Sequence, residues 1–233
     1  MRAIILAGGK GTRLAPYTTV LPKPLMPVGE MPILEIVIRQ LQKHGFDDLT
    51  LAVGYLAELL MAHCGDGSKF GVKLDYSREE QPLGTAGPIA LVPNLNEPFL
   101  VMNGDLLTTT DYSAMLKYHR ERGAMATIAC YPRDVKIDLG VIKVDADNWV
   151  ADYIEKLTYH YLVSMGIYLF EPEILKYIPR DERLDLPELV IKLMQDGKKV
   201  NVFNFDGYWL DIGRHDDYER AIEEFAAHRA DFL

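Results

Sequence analysis

Apolar segments with the length of buried strands alternate with segments of helical periodicity in the first half of the chain. Arg2–Ala7, Leu49–Val53 and Phe99–Asn103 are short apolar runs, which predict strands. Pro32–His44 carries apolar residues at helical spacing, and Gly45 follows as a stop signal, which predicts a helix between the first two strands. Strands that are apolar on both faces and separated by helices are typical of a parallel sheet covered on both sides. The pattern therefore predicts an α/β fold.

The second half of the chain contains more predicted strands and fewer predicted helices. Asp111 is placed to cap a helix that reaches about Arg122, and Asp185 with Glu188 has the spacing of a capping box. The other predicted helices are Leu56–Cys64, one that opens near Thr85, and His215–Ala227. The other predicted strands are Val72–Tyr76, Ala124–Cys130, Val141–Val144, Val150–Ile154, Leu162–Phe170 and Lys199–Phe205. No repeat, linker or low-complexity tract divides the sequence, so we predict a single domain, 1–233, with two sub-regions.

Length and composition exclude several classes of protein. The 233 residues are 48% hydrophobic and 25% charged, which is ordinary globular composition and enough chain to bury a core without cross-links. The longest uncharged apolar run near the start is Ala3–Ala7, too short for a membrane span or a signal segment. The two cysteines, Cys64 and Cys130, form neither a disulfide framework nor a metal-binding spacing. We therefore expect a soluble, cytoplasmic protein.

Charge is distributed unevenly along the sequence. The chain has 25 basic and 34 acidic residues, for a net charge of −9, which argues against a nucleic-acid-binding surface. Residues 1–29 nevertheless contain Arg2, Lys10, Arg13 and Lys23 and no acidic residue. A cationic N-terminal segment in an acidic protein predicts a small anionic ligand that is bound locally.

A glycine-rich loop follows the first predicted strand, with the sequence LAGGKGTRL at residues 6–14. Glycines let backbone N–H groups approach a phosphate closely, and Lys10 and Arg13 add positive charge. The spacing is not that of a dinucleotide-binding GxGxxG, because Leu14 stands where the last glycine would be, and it is not that of a P-loop. A plain glycine turn is the alternative interpretation.

A lysine framed by prolines comes next, in LPKPLMPVG at residues 21–29. Pro22 and Pro24 restrict the backbone on both sides of Lys23, which suits an ammonium group that must meet an anion at a fixed position. A proline-rich loop with a solvated lysine is the alternative.

Small residues are concentrated in EEQPLGTAGP at residues 79–88. Backbone without bulky side chains lets a flat ligand lie against it, and Gln81 is placed to read the edge of a nucleotide base. A helix N-terminus capped by Thr85 is a second interpretation, and both can hold.

Two acidic residues follow or interrupt apolar segments. Asp105 comes directly after Phe99–Asn103, at the edge where open α/β sheets bind ligands. Asp211 lies between apolar residues in WLDIG, and buried carboxylates are usually paired or bound to metal. Near nucleotide phosphates these acids are natural Mg²⁺ ligands, whereas a turn or a helix cap is the alternative for each. Glu155-Lys156 follows a predicted strand. The pair is interpreted either as a surface ion pair or as a site where Lys156 binds a second phosphate.

Together these segments resemble one family, the sugar-1-phosphate nucleotidylyltransferases, also called NDP-sugar pyrophosphorylases. The resemblance rests on GGKGTRLAPYT, LPKPLMPVG, PLGTAGP, NGD, an EK pair and WLDIG in that order, and it extends from Arg2 to about Ala226. It implies a Rossmann-like, mixed and mostly parallel central sheet flanked by helices. Residues 1–110 would form the nucleotide-binding half and residues 111–233 the sugar-phosphate-binding half. The implied reaction joins an NTP and a sugar 1-phosphate to give an NDP-sugar and pyrophosphate, with Mg²⁺ as cofactor.

The resemblance also implies roles for individual residues. Those implied in catalysis are Arg13, Lys23 and Lys156. Those implied at the nucleotide are Leu6, Ala7, Gly8, Gly9, Gly11, Thr12, Arg13, Lys23, Gln81, Gly84 and Thr85. Those implied at the sugar phosphate are Asn103, Gly104, Gly140, Glu155, Lys156 and Ser164. The implied metal ligands are Asp105 and Asp211.

The sequence departs from the family pattern near the implied sugar site. The usual EKP reads Glu155-Lys156-Leu157, and the usual NAG reads Ser164-Met165-Gly166. Because the asparagine of that motif normally bonds sugar hydroxyls, the identity of the sugar stays open.

The nucleotide is also open, although PLGTAGP and WLDIG are most similar to the mannose- and heptose-1-phosphate guanylyltransferases. This similarity favours GTP, with UTP or dTTP as the alternative donors. A non-catalytic regulatory subunit of the same fold is a further alternative, against which the five charged residues Arg13, Lys23, Asp105, Lys156 and Asp211 argue. A dinucleotide-dependent oxidoreductase lacks support, since GxGxxG is missing. Neither a nucleic-acid nor a membrane partner is expected, and a homo-oligomer is left open.

Overall fold

A seven-stranded sheet forms the centre of the computed structural model, which describes residues 1–233. Its strands are β1 (Arg2–Ala7), β4 (Asp48–Val53), β5 (Lys73–Arg78), β6 (Phe99–Asn103), β8 (Ala126–Lys136), β11 (Thr158–Phe170) and β12 (Val200–Asn204). Their order across the sheet is β12-β8-β11-β6-β1-β4-β5. Only the two pairs that include β11 are antiparallel; the other four are parallel. The predicted mixed, mostly parallel sheet is confirmed.

Three small two-stranded sheets complete the strands. They pair β2 (Pro27–Val28) with β3 (Met31–Pro32), β7 (Leu106–Thr108) with β13 (Trp209–Asp211), and β9 (Val141–Val144) with β10 (Val150–Ile154). The β7–β13 pair joins segments about a hundred residues apart and sets Asp211 opposite Leu106. This pair was not predicted, because three-residue strands have too few positions for a periodic signal.

Helices cover the faces of the sheet. They are α1 (Ile33–Lys43), α2 (Ala57–Cys64), α3 (Tyr112–Arg122), α4 (Leu186–Gln195), α5 (His215–Ala227) and α6 (Arg229–Phe232). The side chain of Asp111 accepts a hydrogen bond from the Ala114 N–H, and Asp185 and Glu188 form the capping box of α4. Both predicted caps are confirmed. None of the helices has the length and apolar character needed to cross a membrane.

The core lies on both sides of the sheet because successive residues of each strand point to opposite faces. In β1, Ala3 and Ile5 pack against α1, α2 and α3, whereas Ile4 packs against the face covered by α4. All three side chains are fully buried. This two-sided burial is the reason that the strands of the first half read as continuous apolar runs.

The predicted helix at Thr85 is wrong. The segment forms only a 3₁₀ turn, Gly87–Leu91. The N–H groups of Ala86 and Gly87 both donate to the carbonyl of Leu184, so long-range bonds to the segment before α4 fix its start.

Two predicted strands are too short. β8 continues past Cys130 to Lys136, and β11 begins at Thr158 rather than Leu162. Together with β9 and β10 these extensions form a projecting β-arm, residues 131–163. Most of its side chains are exposed, so the alternation of apolar and polar residues that marks a half-buried strand is absent there.

Candidate active site

A cavity of about 1080 Å³ opens at the carboxyl ends of the first parallel strands. The register pairs Ala7 with Val53 and Leu6 with Asn103, so the segments that follow β1, β4 and β6 emerge side by side. Predicted residues that line the cavity are Leu6, Gly8, Gly9, Gln81, Gly84, Thr85, Asn103 and Asp105. The sequence argument for a ligand site at this edge of the sheet therefore agrees with the position of the cavity.

Two glycines keep the floor of the cavity free of side chains. A Cβ atom on Gly8 or on Gly54 would lie 2.8 Å from Oε1 of Glu79. The other oxygen of that carboxylate, Oε2, accepts a hydrogen bond of 2.9 Å from the Leu83 N–H. The Glu79 carboxylate is thus held over bare backbone, with Oε1 directed at the ends of β1 and β4.

The loop that contains Gly84 and Thr85 is fixed to the start of α4. Gly84 has φ +80°, and a Cβ there would lie 2.5 Å from the Leu184 carbonyl oxygen. The Thr85 N–H donates to Asp185, and the Thr85 hydroxyl accepts from the Leu186 N–H at 2.7 Å. Thr85 therefore caps α4 rather than a helix of its own, and the wall of the cavity is rigidly positioned.

Gln81 is directed partly away from the cavity that it lines. Its Nε2 donates to the carbonyl of Asp181 at 3.3 Å, which leaves the amide oxygen as its available polar atom.

Four charged side chains, Arg13, Lys23, Asp105 and Asp211, form a cluster that meets the cavity next to β6, where Asp105 is the member that lines it. Lys23 is 8% exposed and forms an ion pair with Asp105 through its Nζ. Burial raises the pKa of the Asp211 carboxyl, the neighbouring Asp105 raises that pKa further, and Lys23 and Arg13 lower it. The cluster arises because the β7–β13 pair and the hydrogen bond from the Ile212 N–H to the Asp105 carbonyl set the two acids side by side.

The two carboxylates of this cluster have the character of a divalent-cation site. The pKa of Asp211 is raised first by burial and then by the charge of Asp105, and Lys23 and Arg13 offset part of that rise. Mg²⁺ typically takes one or two carboxylates together with water and substrate phosphates. Two adjacent carboxylates match that donor set, and with no group of three or more His, Cys, Asp or Glu residues in the chain, a metal ion here would need substrate oxygens or water as its other ligands.

The loop between β1 and Lys23 holds the remaining cation of the cluster. Gly11 has φ +61°, and the Thr18 hydroxyl donates to its carbonyl at 2.8 Å. Thr12 and Arg13 follow in a 3₁₀ turn, Thr12–Leu14, in which only Leu14 is buried. Arg13 is exposed and has no ion pair of its own.

The bulge in β11, between Ser164 and Tyr168, brings Gly166 close to the NGD segment. Gly166 has φ +73°, and a Cβ there would lie 2.5 Å from Nδ2 of Asn103. The Ser164 hydroxyl is within 2.9 Å of the Tyr168 hydroxyl, so it already has a partner. Gly104 lies close to β1, since a Cβ on it would be 3.1 Å from the Leu6 carbonyl oxygen.

The remaining predicted sugar-phosphate residues lie on the β-arm. A Cβ on Gly140 would collide with the Tyr153 hydroxyl, which itself donates to Glu155 at 3.3 Å. Lys156 has φ +52°. A residue before proline is driven toward extended backbone, so Leu157 in place of the family proline is compatible with this turn. The side-chain hydrogen bonds of residues 143–160 stay within the arm, and none joins these residues to the cavity.

Several residues that line the cavity were not predicted, among them Gly54, Tyr55, Glu79 and Arg183. Gly54 could have been found, because it directly follows the predicted strand Leu49–Val53 at the same edge of the sheet. Glu79 could not have been chosen from the sequence, because nothing in the sequence distinguishes it from the adjacent Glu80.

Comparisons with known proteins agree over nearly the whole chain. The family model described as nucleotidyl transferase matches residues 2–228. A UTP–glucose-1-phosphate uridylyltransferase from Synechocystis sp. is 36% identical over 95% of this chain. The catalytic subunit beta of mannose-1-phosphate guanylyltransferase from Danio rerio is 33% identical over 94% of it. The chain spans 62% of the length of each of these relatives.

Solved structures give the same result. HddC from Yersinia pseudotuberculosis superposes with a TM-score of 0.74 and 26% identity, covering 96% of this chain and 99% of that one. The same protein complexed with GMP-PN superposes with a TM-score of 0.72 over the same shares of the two chains.

Proposed function

The chain belongs to the nucleotidyl transferase family, and we propose that it transfers a nucleotidyl group from an NTP, with GTP favoured, to a sugar 1-phosphate. The products are an NDP-sugar and pyrophosphate. The observation that carries this proposal is the cluster of Arg13, Lys23, Asp105 and Asp211, which meets a glycine-floored cavity at Asp105. The names of both relatives described above, each a sugar-1-phosphate nucleotidyltransferase, support the same reaction class.

The proposed chemistry needs charge and alignment rather than a base. An oxygen of the sugar phosphate attacks the α-phosphorus of the NTP, and the bond from that phosphorus to the bridging oxygen of the β-phosphate breaks. The nucleophile is already an anion and pyrophosphate leaves as an anion, so no proton has to be removed. The obstacle is repulsion between two polyanions, which fixed cations offset while they hold the groups in line.

Three cations have separate roles in this proposal. Arg13 would stabilise the leaving pyrophosphate, Lys23 would contact the α-phosphate, and Lys156 would hold the sugar phosphate. Bound at Asp105 and Asp211, Mg²⁺ would supply further positive charge to phosphate oxygens. In the absence of ligands, Lys23 neutralises Asp105, which keeps the two acids close together until substrate binds.

The position of Glu79 supports GTP as the favoured nucleotide. Along the sheet edge, the ends of β5 and β6 are three strand spacings apart, or about 14 Å. Phosphates at the Asp105 end would therefore leave the Glu79 end for the base. Both arginines that line this end are already in ion pairs, Arg78 with Glu58 and Arg183 with Asp185. Neither therefore competes for the Glu79 carboxylate, whose Oε2 is held by the Leu83 N–H and whose remaining acceptor capacity is open to a ligand.

A carboxylate discriminates between bases by their donors. Guanine presents two adjacent N–H donors, at N1 and N2, to a single acceptor, whereas uracil and thymine present one N–H flanked by two carbonyl oxygens. Those oxygens would face the negative charge of Glu79 at short range. Recognition by a charged acceptor of this kind typically discriminates by about 1–3 kcal/mol.

We expect Glu79→Gln to shift the preference of the protein from GTP toward UTP. The amide both donates and accepts, so it suits uracil better than a carboxylate does. The ratio of kcat/KM for GTP to that for UTP should fall about 10-fold or more. Glu97→Gln, at an exposed carboxylate outside the cavity, is the matched control. An unchanged ratio in Glu79→Gln would remove Glu79 from base recognition.

Lys156→Ala is expected to impair binding of the sugar phosphate alone. A surface lysine without this role changes binding by less than about 1 kcal/mol. With the role, KM for the sugar 1-phosphate rises strongly or turnover stops, while NTP affinity stays within a few-fold. Lys143→Ala, on the same arm in an ion pair with Asp152, is the control. Binding titrations with each substrate test this role of Lys156. Equal losses of affinity for both substrates, or no loss for either, would contradict it.

Purified protein assayed against the four common NTPs and several sugar 1-phosphates tests the proposal as a whole. Release of pyrophosphate that depends on both substrates is the expected result, with GTP giving the highest kcat/KM. Binding of NTP without turnover for any sugar phosphate would favour the regulatory subunit instead.

A further inference from the structure

The segment from Asp211 to His215 lies alongside residues 8–20, which we call the phosphate loop. Two of its residues, Gly213 and His215, each contact the loop. Gly213 lies against the guanidinium of Arg13, and His215 lies against the backbone of Ala15. The two segments are about 200 residues apart in the sequence, so this contact is made only in the folded protein.

Gly213 provides a flat seat for Arg13. A Cβ on Gly213 would lie 3.2 Å from Nη1 of Arg13, and 3.5 Å from both Cζ and Nη2. Three atoms of the guanidinium are therefore nearly equidistant from this position, so the group lies flat over Gly213. Gly213 is buried and needs no left-handed backbone. Its lack of a side chain is thus a matter of space for Arg13 and not of conformation.

His215 fixes the loop two residues beyond Arg13. Its Nε2 is 3.0 Å from the Ala15 carbonyl oxygen, and its ring lies 5.8 Å from the ring of Tyr17. Tyr218, one turn further along α5, also packs near Tyr17, and its hydroxyl donates to the Pro27 carbonyl at 2.7 Å. The first turn of α5 thus holds both segments that carry cations of the cluster.

The loop has other attachments, but none is to the guanidinium of Arg13. Tyr55 donates through its hydroxyl to the Thr19 carbonyl at 3.0 Å and through its N–H to the Gly8 carbonyl at 3.1 Å. Leu14 is fully buried in the core cluster that includes Ile212, and the bond from Thr18 to Gly11 is internal to the loop. The part of the loop around Arg13 and Ala15 is exposed apart from Leu14. The buried Leu14 therefore anchors the backbone next to Arg13, and the Asp211–His215 segment supplies the contact with the guanidinium itself.

We propose that Gly213 and His215 are positioning residues that clamp the phosphate loop and set Arg13 for the triphosphate. The inference rests on the proposed function, since it assumes that Arg13 meets an NTP. Neither residue lines the cavity. The segment that carries the acid Asp211 thereby also aligns the cation that faces the same phosphates.

Substitutions at His215 test its hydrogen bond to the Ala15 carbonyl. His215→Leu keeps the bulk but loses the N–H donor, and one lost hydrogen bond should weaken GTP binding about 3- to 10-fold. His215→Gln can place an amide N–H where Nε2 lies and should restore affinity to within about 2-fold. His228→Leu, at the opposite end of α5 and without contact to the loop, is the matched control. Affinity for GTP is measured by calorimetry, and KM for the sugar phosphate should stay unchanged.

Gly213→Ala tests the seat. The added methyl displaces the guanidinium by a few tenths of an ångström, which should lower kcat/KM for the NTP about 10-fold with little change in Tm. In a double-mutant cycle with Arg13→Ala, the effect of Gly213→Ala should largely disappear, because its target is gone. A full, additive effect in the Arg13→Ala background would show that Gly213 serves the fold and would overturn the clamp.

Binding and turnover separate the two proposals. If the wild-type protein binds GTP but turns over no sugar phosphate, the proposed function fails, while the His215 and Gly213 variants still report on the clamp through GTP affinity. If His215→Leu and His215→Gln bind GTP as tightly as wild type, the clamp is wrong whatever the activity. Failure of the wild-type protein to bind either GTP or UTP overturns both.

Discussion

Asp105→Asn and Asp211→Asn are each expected to lower kcat by at least about 100-fold, because a bound divalent cation contributes several kcal/mol of charge stabilisation in phosphoryl chemistry. With one carboxylate removed, Mg²⁺ would rely mainly on water and phosphate oxygens. Turnover is measured over a range of Mg²⁺ concentrations. Higher metal concentrations should recover part of the lost rate, since weakened binding is the primary defect.

The two variants should differ in stability, which separates them from a general loss of fold. Burial and Asp105 raise the pKa of Asp211, so the folded protein disfavours its charged form. Asp211→Asn should therefore leave Tm unchanged or raise it. Asp105→Asn removes the partner of Lys23, a side chain 8% exposed, and should lower Tm, because a buried lysine loses its counter-charge.

Two results would contradict this assignment. Near-normal turnover of either variant with Mg²⁺ present would remove that acid from the metal site. A large drop in Tm for Asp211→Asn would show that its carboxylate stabilises the fold, contrary to the direction in which burial and Asp105 shift its pKa.

The positions of these two acids illustrate what a sequence can and cannot predict here. Asp105 follows a strand that is apolar on both faces, and the rule that ligands bind at the carboxyl ends of parallel strands was enough to mark it. Asp211 was marked only by its apolar neighbours. That the two acids adjoin depends on the pairing of Leu106–Thr108 with Trp209–Asp211, a long-range contact with no local signature.

Elsewhere, the bounds of secondary structure were predicted well where side chains are buried and poorly where they are exposed. The strands and helices that cover the core were predicted within a few residues, because burial on one or both faces creates a period in the sequence. The β-arm has little buried surface, so the ends of β8 and β11 were missed by four to six residues. Glu79 was missed for a related reason. Its position depends on two glycines, Gly8 and Gly54, which leave space that only the assembled sheet defines.

Arg13→Ala is expected to lower kcat/KM by about 100- to 1,000-fold with little change in stability. Removing one fixed group that stabilises charge in a transition state typically costs about 3–4 kcal/mol. Arg13 is exposed and forms no ion pair, so its loss should change the free energy of unfolding by less than about 0.5 kcal/mol. For a chain of this size that is a Tm shift of about 2 °C or less.

Lys23→Ala is the internal comparison for this prediction. Lys23 is buried against Asp105, and its removal leaves an uncompensated carboxylate beside Asp211. Breaking such a pair typically costs about 3–5 kcal/mol of stability, so Lys23→Ala should lose both activity and Tm. Both cations would then act on the same substrate, but only Lys23 would stabilise the protein in the absence of ligand.

Arg13→Lys distinguishes charge from geometry at the same position. Lysine keeps the positive charge but cannot form the two parallel hydrogen bonds of a guanidinium, and it lacks the planar group that lies over Gly213. Intermediate activity is therefore expected, with kcat/KM between wild type and Arg13→Ala. Measurements of kcat/KM for the NTP and of Tm on all three variants decide the matter. If Arg13→Ala unfolds the protein while activity per folded molecule is retained, Arg13 serves the structure and not the triphosphate.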